Sequence, residues 1–130
     1  MIVLDTPIWI WWVSGSNRLS DNQREVIQTA GRGNIGVSAI SCWEVAKLVE
    51  LGRLELDRPV VDWLRSALLD YRIRLLELSP EVAVASTQLP GSFHRDPADQ
   101  IIVATARLNN YRLVTSDGQI AGYVHVETVA

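Results

Sequence analysis

Met1-Ile-Val-Leu-Asp5-Thr-Pro7 opens the chain with four apolar residues, an acid, a hydroxyl residue and a proline. Met1 to Leu4 has the length and composition of a short buried strand ending at Asp5. Proline is tolerated in the first turn of a helix, where its missing N–H has no partner to lose. Pro7 to Ser14 therefore reads as a buried helix that starts directly behind the acid, with Gly15-Ser16-Asn17 as its closing turn. The same grammar returns twice. Asn34 to Val37 is a second short strand, and Ser38 caps a helix to about Leu51, with Glu44 in its early turns and Gly52 as its stop. Arg112 to Thr115 is another strand, followed by a turn at Ser116-Asp117-Gly118.

Between these segments the periodicity alternates between strand and helix. Ser20 caps a helix over Asp21 to Ala30, closed by Gly31 and Gly33. Pro59 opens a helix through Tyr71 whose Val60, Trp63, Leu64, Ala67 and Leu68 fall at helical spacing. Ile73 to Leu78 reads as a third strand, Pro80 starts a short helix to about Leu89, and Pro90 to Arg95 is a loop. Asp96-Pro97 then begins a helix over Ala98 to Asn109, and Val124 to Val126 supplies a fifth strand. Strand alternating with helix throughout implies a parallel sheet of four to five strands covered on both faces.

The chain has 130 residues, 48% of them hydrophobic and 21% charged, which suits one folded domain over residues 1–130 with a real core. A net charge of −3 excludes a broadly basic nucleic-acid coat, although a local arginine stripe can still bind phosphate. Nearly all the positive charge is arginine, and Lys47 is the only lysine. Cys42 is alone, so no internal disulfide forms, and its apolar surroundings suggest inert packing. The opening segment lacks the pattern of a signal peptide, and the apolar run Ile8 to Val13 is too short to cross a membrane. A cytoplasmic protein without membrane attachment is expected.

Four acids far apart in the chain, Asp5, Glu44, Asp99 and Asp117, each lie where an apolar segment gives way to polar residues. An α/β fold gathers such positions at the carboxyl ends of its strands, where ligands bind. Four carboxylates brought together there repel one another unless a cation lies between them, and hard Mg²⁺ or Mn²⁺ prefers oxygen ligands. Each acid also has a bland role. Asp5 can cap the helix behind it, Glu44 can be an exposed helical glutamate, Asp96 matches a helix N-cap, Asp99 complements a helix dipole, and Asp117 suits an ordinary turn.

With Ile2-Val-Leu-Asp5-Thr, Ser38-Ala-Ile-Ser-Cys-Trp-Glu44, His94-Arg-Asp-Pro-Ala-Asp99-Gln-Ile-Ile-Val-Ala-Thr-Ala and Leu113-Val-Thr-Ser-Asp117 in register, the chain resembles a PIN-domain nuclease. More closely it resembles the VapC-type toxins of type II toxin–antitoxin pairs. The resemblance spans essentially the whole chain. It implies a three-layer α/β/α sandwich and a metal-dependent endoribonuclease acting on structured RNA such as tRNA or rRNA. It also implies a homodimer inhibited by a cognate antitoxin. By position, the family's acids fall on Asp5, Glu44, Asp99 and Asp117, with Mg²⁺ (or Mn²⁺) held by Asp5 and Asp99 and by Glu44 and Asp117 directly or through water. Asp96, Thr6, Thr115 and Arg95 would support the acids or touch substrate. Gln100 departs from relatives that often carry arginine after the third acid.

Other readings stay open. A PIN fold could serve as a binding or scaffold module without cleavage, or as an RNA-processing nuclease that is not a toxin. A receiver-type phosphorylation switch needs a lysine late in the chain, and Lys47 is not late. His94 suits a general acid or, more simply, loop and capping duty, and Phe93-His94-Arg95 could meet an unstacked base and its phosphate. Trp9, Trp11 and Trp12 point in different directions on one helix, so a second subunit or an antitoxin helix is expected over the faces the core does not take.

Overall fold

The computed structural model describes residues 1–130. Five strands, β1 (Ile2–Leu4), β2 (Ile35–Ser38), β3 (Arg74–Leu76), β4 (Arg112–Val114) and β5 (Thr128–Val129), form one sheet in the order β3-β2-β1-β4-β5. Every pairing is parallel. The helices are α1 (Thr6–Ser14), α2 (Asp21–Ala30), α3 (Ala39–Glu50), α4 (Val60–Leu69), α5 (Pro80–Ser86), α6 (Pro97–Asn109) and α7 (Gly118–Ala121). None is long and apolar enough to cross a membrane.

The pleat of β1 divides the core. Successive side chains of a strand point to opposite faces. Ile2 and Leu4 join Ile8, Trp9, Ile27, Trp63 and Ala67 on one side, while Val3 joins Ile102, Val103, Ala106 and Ile120 on the other. The architecture is a three-layer α/β/α sandwich, and β1, inside the sheet, has nothing but apolar residues because both its faces are covered.

Several boundaries move from the sequence expectation. The fifth strand is Thr128–Val129, not Val124 to Val126. Val124 is 86% exposed, whereas Glu127 and Val129 offer carbonyls to Leu113 N (2.9 Å) and Thr115 N (3.0 Å), so the ladder forms later in the chain. The third strand keeps only Arg74–Leu76 of the expected Ile73 to Leu78, and the helix behind Pro80 ends at Ser86. Ser116-Asp117-Gly118 does not stop at a turn: Asp117 caps the one-turn helix α7.

Of the three tryptophans on α1, one enters the core completely. Trp9 is fully buried, its ring 5.6 Å from that of Trp63, and its indole N–H donates to the Ala67 carbonyl at 3.3 Å. Trp11 and Trp12 are half-buried against the same core, and the Arg18 guanidinium lies 5.9 Å from the Trp11 ring. Leu19 after α1 and Trp63 and Ala67 of α4 share the core cluster that this helix enters. Trp11 and Trp12 keep part of their surface outside that core.

Candidate active site

The carboxyl ends of the inner strands and the N-termini of the helices that follow them meet at one edge of the sheet. Asp5 follows β1 and is only 4% exposed. One of its oxygens accepts from Thr6 N at 2.8 Å, capping α1, and the other accepts from the Thr115 hydroxyl at 2.8 Å. Thr115 Oγ1 in turn accepts from Asp117 N at 3.0 Å, which ties the ends of β1 and β4 to the start of α7. Capping of α1 and presentation of a carboxylate are thus one arrangement, since an N-cap side chain has to sit at the strand-to-helix junction.

Glu44 arrives from α3. Its Oε1 accepts from the Thr6 hydroxyl at 2.6 Å, and that hydroxyl also lies 2.8 Å from Ser41 Oγ. A hydroxyl has one proton, so with Thr6 donating to the carboxylate, Ser41 donates to Thr6. Asp96 and Asp99 come from the first turn of α6, where the Asp96 carboxylate accepts from Asp99 N at 3.1 Å. Asp117 accepts from Gln119 N (2.8 Å) and Ile120 N (3.1 Å).

A cavity of about 380 Å³ collects Asp5, Glu44, Asp96, Asp99 and Asp117, walled on one side by Pro7 and Trp11. Its electrostatics follow from that crowding. Burial pushes the Asp5 carboxyl up, opposed by the Thr115 and Thr6 hydrogen bonds and reinforced by the charges of Asp117 and Asp96. Burial likewise raises Glu44, against the Thr6 bond and with Asp5 and Asp96 adding repulsion. Asp99 is pushed up to about 7 by burial and then by Asp5, Asp96, Asp117 and Glu44. A pocket with this many acids and no lysine or arginine among its lining residues holds on to protons or takes a cation. A larger cleft of about 650 Å³ lies elsewhere, between α1 and α4, and its lining shares none of these acids.

His94 is part of this pocket's surroundings, beyond the loop or capping duty considered from sequence. Its Nε2 lies 2.8 Å from Asp99 Oδ2, an ion-pair distance without hydrogen-bond geometry, and its Nδ1 contacts Gln119 Oε1. Burial lowers its proton affinity, but the Gln119 contact and the charges of Asp99 and Asp117 outweigh that, leaving it raised. Gln100 Nε2 donates to the His94 carbonyl at 3.1 Å, which gives the residue in the family's usual arginine position a loop-fixing role. Arg95 is exposed and enters no ion pair. Cys42 is half-buried with its thiol pushed up by burial, in keeping with inert packing.

With this geometry in place, comparison with known proteins is decisive. Residues 2–125 match the PIN domain. The chain is 37% identical to Ribonuclease VapC22 of Mycobacterium tuberculosis over 98% of its own length and 95% of that protein. It belongs to the PIN-domain family, among the VapC-type members. Solved structures share the fold at lower identity. A toxin–antitoxin complex from Klebsiella pneumoniae matches with a TM-score of 0.70 at 20% identity, covering 100% of this chain and 97% of that one. VapBC2 from Rickettsia felis, bound to a promoter DNA fragment, matches with a TM-score of 0.69 at 17% identity, covering 99% and 98%.

The donor chemistry of this PIN domain suits a hard divalent ion, since the pocket offers carboxylate and hydroxyl oxygens, and burial together with neighbouring carboxylates raises Asp99 to about 7. The side chains do not close around a common point as they stand: no three His, Cys, Asp or Glu groups are disposed to hold an ion. They are turned to protein partners instead, Asp99 to His94 and Glu44 to Thr6. An ion would have to draw them off these partners.

Two supporting residues escaped the sequence reading. Gln23 is 1% exposed; its Oε1 accepts from Ser20 N at 2.9 Å, and its Nε2 donates to the Thr115 carbonyl (3.2 Å) and Ser116 Oγ (2.8 Å). It fastens α2 to the turn that carries Asp117. The Ser20-x-x-Gln23 spacing of a capping box was the available signal. Ser41, three residues before Glu44 on the same helical face, was legible from that spacing alone.

Proposed function

We propose that this chain is a Mg²⁺- or Mn²⁺-dependent endoribonuclease, the toxin of a type II pair, which hydrolyses phosphodiester bonds in structured RNA such as tRNA or rRNA. The observation that carries this reading is the convergence of Asp5, Glu44, Asp99 and Asp117 on one cavity, with Asp99 pushed up to about 7. Ribonuclease VapC22 supplies the activity by likeness, and the toxin–antitoxin complexes supply the partner: a cognate antitoxin that silences the enzyme. A homodimer is part of the same proposal.

Asp5 and Asp99 would hold the ion, with Glu44 and Asp117 as ligands or partners through water. A bound divalent ion lowers the pKa of an attached water to make a nucleophile and stabilises the leaving oxygen. The chain's own residues prepare that site. Thr115 and Thr6 N fix both oxygens of Asp5, so its carboxylate points without rotamer search. The Thr6 hydroxyl orients Glu44, and Asp96 holds the first turn of α6, from which Asp99 projects. Arg95 stands exposed beside the acids, available to an RNA phosphate.

Asp5→Asn tests the reading. The amide keeps an oxygen for Thr6 N and roughly the same volume, so thermal unfolding should shift by less than about 5 °C, the equivalent of about 1 kcal/mol in a domain of this size. Metal-dependent RNA cleavage should disappear. Full cleavage by this variant, or wild-type cleavage undiminished by excess chelator, defeats the proposal.

A further inference from the structure

Trp43 is 56% exposed although it sits one residue before Glu44 on α3. A second cavity, of about 330 Å³, opens beside it, with Ile40, Pro97 and Ala98 as its other apolar walls. Glu44 and Asp96 line both this cavity and the acid pocket, so the two are adjoining compartments of one depression. Its only polar residues are those two acids, so what it offers a guest is a flat apolar surface and an aromatic ring. Ile40 and Lys47 stand three residues before and four residues after Trp43, on the same helical face. Lys47 places the chain's only lysine one turn from the indole, where it is half-exposed and paired only with Glu50 at 2.5 Å.

We infer that the cavity at Trp43 is a subsite for one unpaired RNA base next to the scissile phosphate, with the indole as its stacking platform and Lys47 meeting the backbone beyond it. This rests on the nuclease reading of the acid pocket. A phosphodiester held at Glu44 and Asp99 has to place its flanking nucleotides over neighbouring surfaces, and the cavity that shares Glu44 and Asp96 with the acid pocket is one of them. Stacking on an aromatic ring accepts any base, because every base has a π-face. A compartment with a ring and few hydrogen-bonding groups therefore selects unpaired structure over sequence, which steers cleavage to loops and away from duplex. Trp43 is a positioning residue in this account, since it holds the base and leaves the reacting atoms to the acids.

The test crosses a protein variant with a substrate deletion. The isolated full chain with Mg²⁺ is used to map a cleavage site in total cellular RNA. That site is copied into a synthetic stem-loop, and the nucleotides flanking the cut are made abasic one at a time. For the wild type, one abasic position next to the cut should lower kcat/KM by roughly 5- to 150-fold, the range for one stacked base. Trp43→Ala should show a similar loss on the intact stem-loop, mainly in KM, and no further loss at that abasic position. Trp43→Phe should recover most of the activity. Wild-type cleavage by Trp43→Ala, or penalties that add at every flanking position, overturns the inference. So does sedimentation showing that Trp43→Ala breaks a dimer while the abasic penalty stays the same, which would assign the indole to a second copy or another protein. Failure of the nuclease reading is seen separately: the wild type and Asp5→Asn would then be equally inert toward every RNA.

Discussion

Lowering the pH should weaken Mg²⁺ binding well above the range in which ordinary carboxylates protonate. Asp99, raised to about 7, keeps its proton until near neutrality, and an ion that takes Asp99 as ligand must displace that proton. With one proton released per ion, affinity follows the ionised fraction. Between about pH 7.5 and about pH 5.5 that fraction falls from about three-quarters to about 3%, so the dissociation constant should rise roughly 25-fold. Calorimetric titration with Mg²⁺ or Mn²⁺ in two buffers of different ionisation enthalpy reads both the affinity and the proton count. Binding that is independent of pH across this window, or that releases no proton, refutes the assignment of Asp99 as a ligand in a crowded acid pocket.

The same proton gives a stability prediction of definite sign. Asp99 has a raised folded pKa, so between about pH 4 and about pH 7 the folded chain holds a proton that the unfolded chain has released, and ion-free stability falls as pH rises. His94 faces Asp99 at 2.8 Å and is raised in part by that carboxylate's charge, so the two titrate as a pair and do not add as independent groups. The ceiling for one fully retained proton is about 1.4 kcal/mol per pH unit. The open pocket admits water, so a slope of less than half that is expected for these partly exposed groups. Urea unfolding in chelator at several pH values measures it. With saturating Mg²⁺ the trend should reverse, because the ion favours the ionised form. A chelated protein that gains stability from about pH 5 to about pH 7 would contradict the electrostatic account.

Thr6→Val keeps the shape of the side chain and removes the hydroxyl between Ser41 and Glu44, so it should cost about 1–2 kcal/mol in urea unfolding and weaken metal binding at constant pH. Metal affinity equal to wild type would show that Glu44 needs no orientation. Gln23→Leu leaves Ser20 N and the Thr115 carbonyl without their partner, a loss of about 2–3 kcal/mol. Hydrogen exchange should quicken at Asp117 to Ile120 in that variant, and unchanged protection there would remove Gln23 from the site's support. Gly36→Ala would place a Cβ 2.8 Å from Leu76 Cδ1 and 3.0 Å from its Cγ, across the β2–β3 pairing. Overpacking of this kind costs about 1–3 kcal/mol, seen as a lower urea midpoint with Mg²⁺ affinity kept.

The acids and their strands were legible because the information is local. A short apolar run that ends on an acid and restarts as a helix states both the strand end and the carboxylate at its edge, as at Leu4-Asp5-Thr6. The bland roles weighed against function for Asp5, Asp96 and Asp117 are also real, since all three cap helices. Capping and site geometry need the same position, a side-chain oxygen at a strand-to-helix junction, so sequence could not separate them. Where local signals were ambiguous the reading slipped. Ser-Asp-Gly suits a turn and the cap of a four-residue helix equally, and β5 exists only because two carbonyls happen to meet β4.

What stayed hidden is of another kind. The bonds that orient the acids join Thr6 to Glu44 across 38 residues and Thr115 to Asp5 across 110. Gln23 reaches Thr115 across 92, and His94 meets Asp99 only because its loop folds back over α6. No periodicity encodes such contacts, since they depend on how the sheet brings separate strand ends together. The division has a chemical consequence. An acid pocket can be recognised from the positions of its charges, but its proton affinities are set by the distant hydroxyls and neighbouring carboxylates that crowd it. Asp5 and Asp99 differ in this respect. Asp5 has two donors that partly offset its burial, whereas Asp99 has an imidazole and four acids around it, and under the proposed function this contrast makes Asp99 the group whose proton an incoming ion would have to displace.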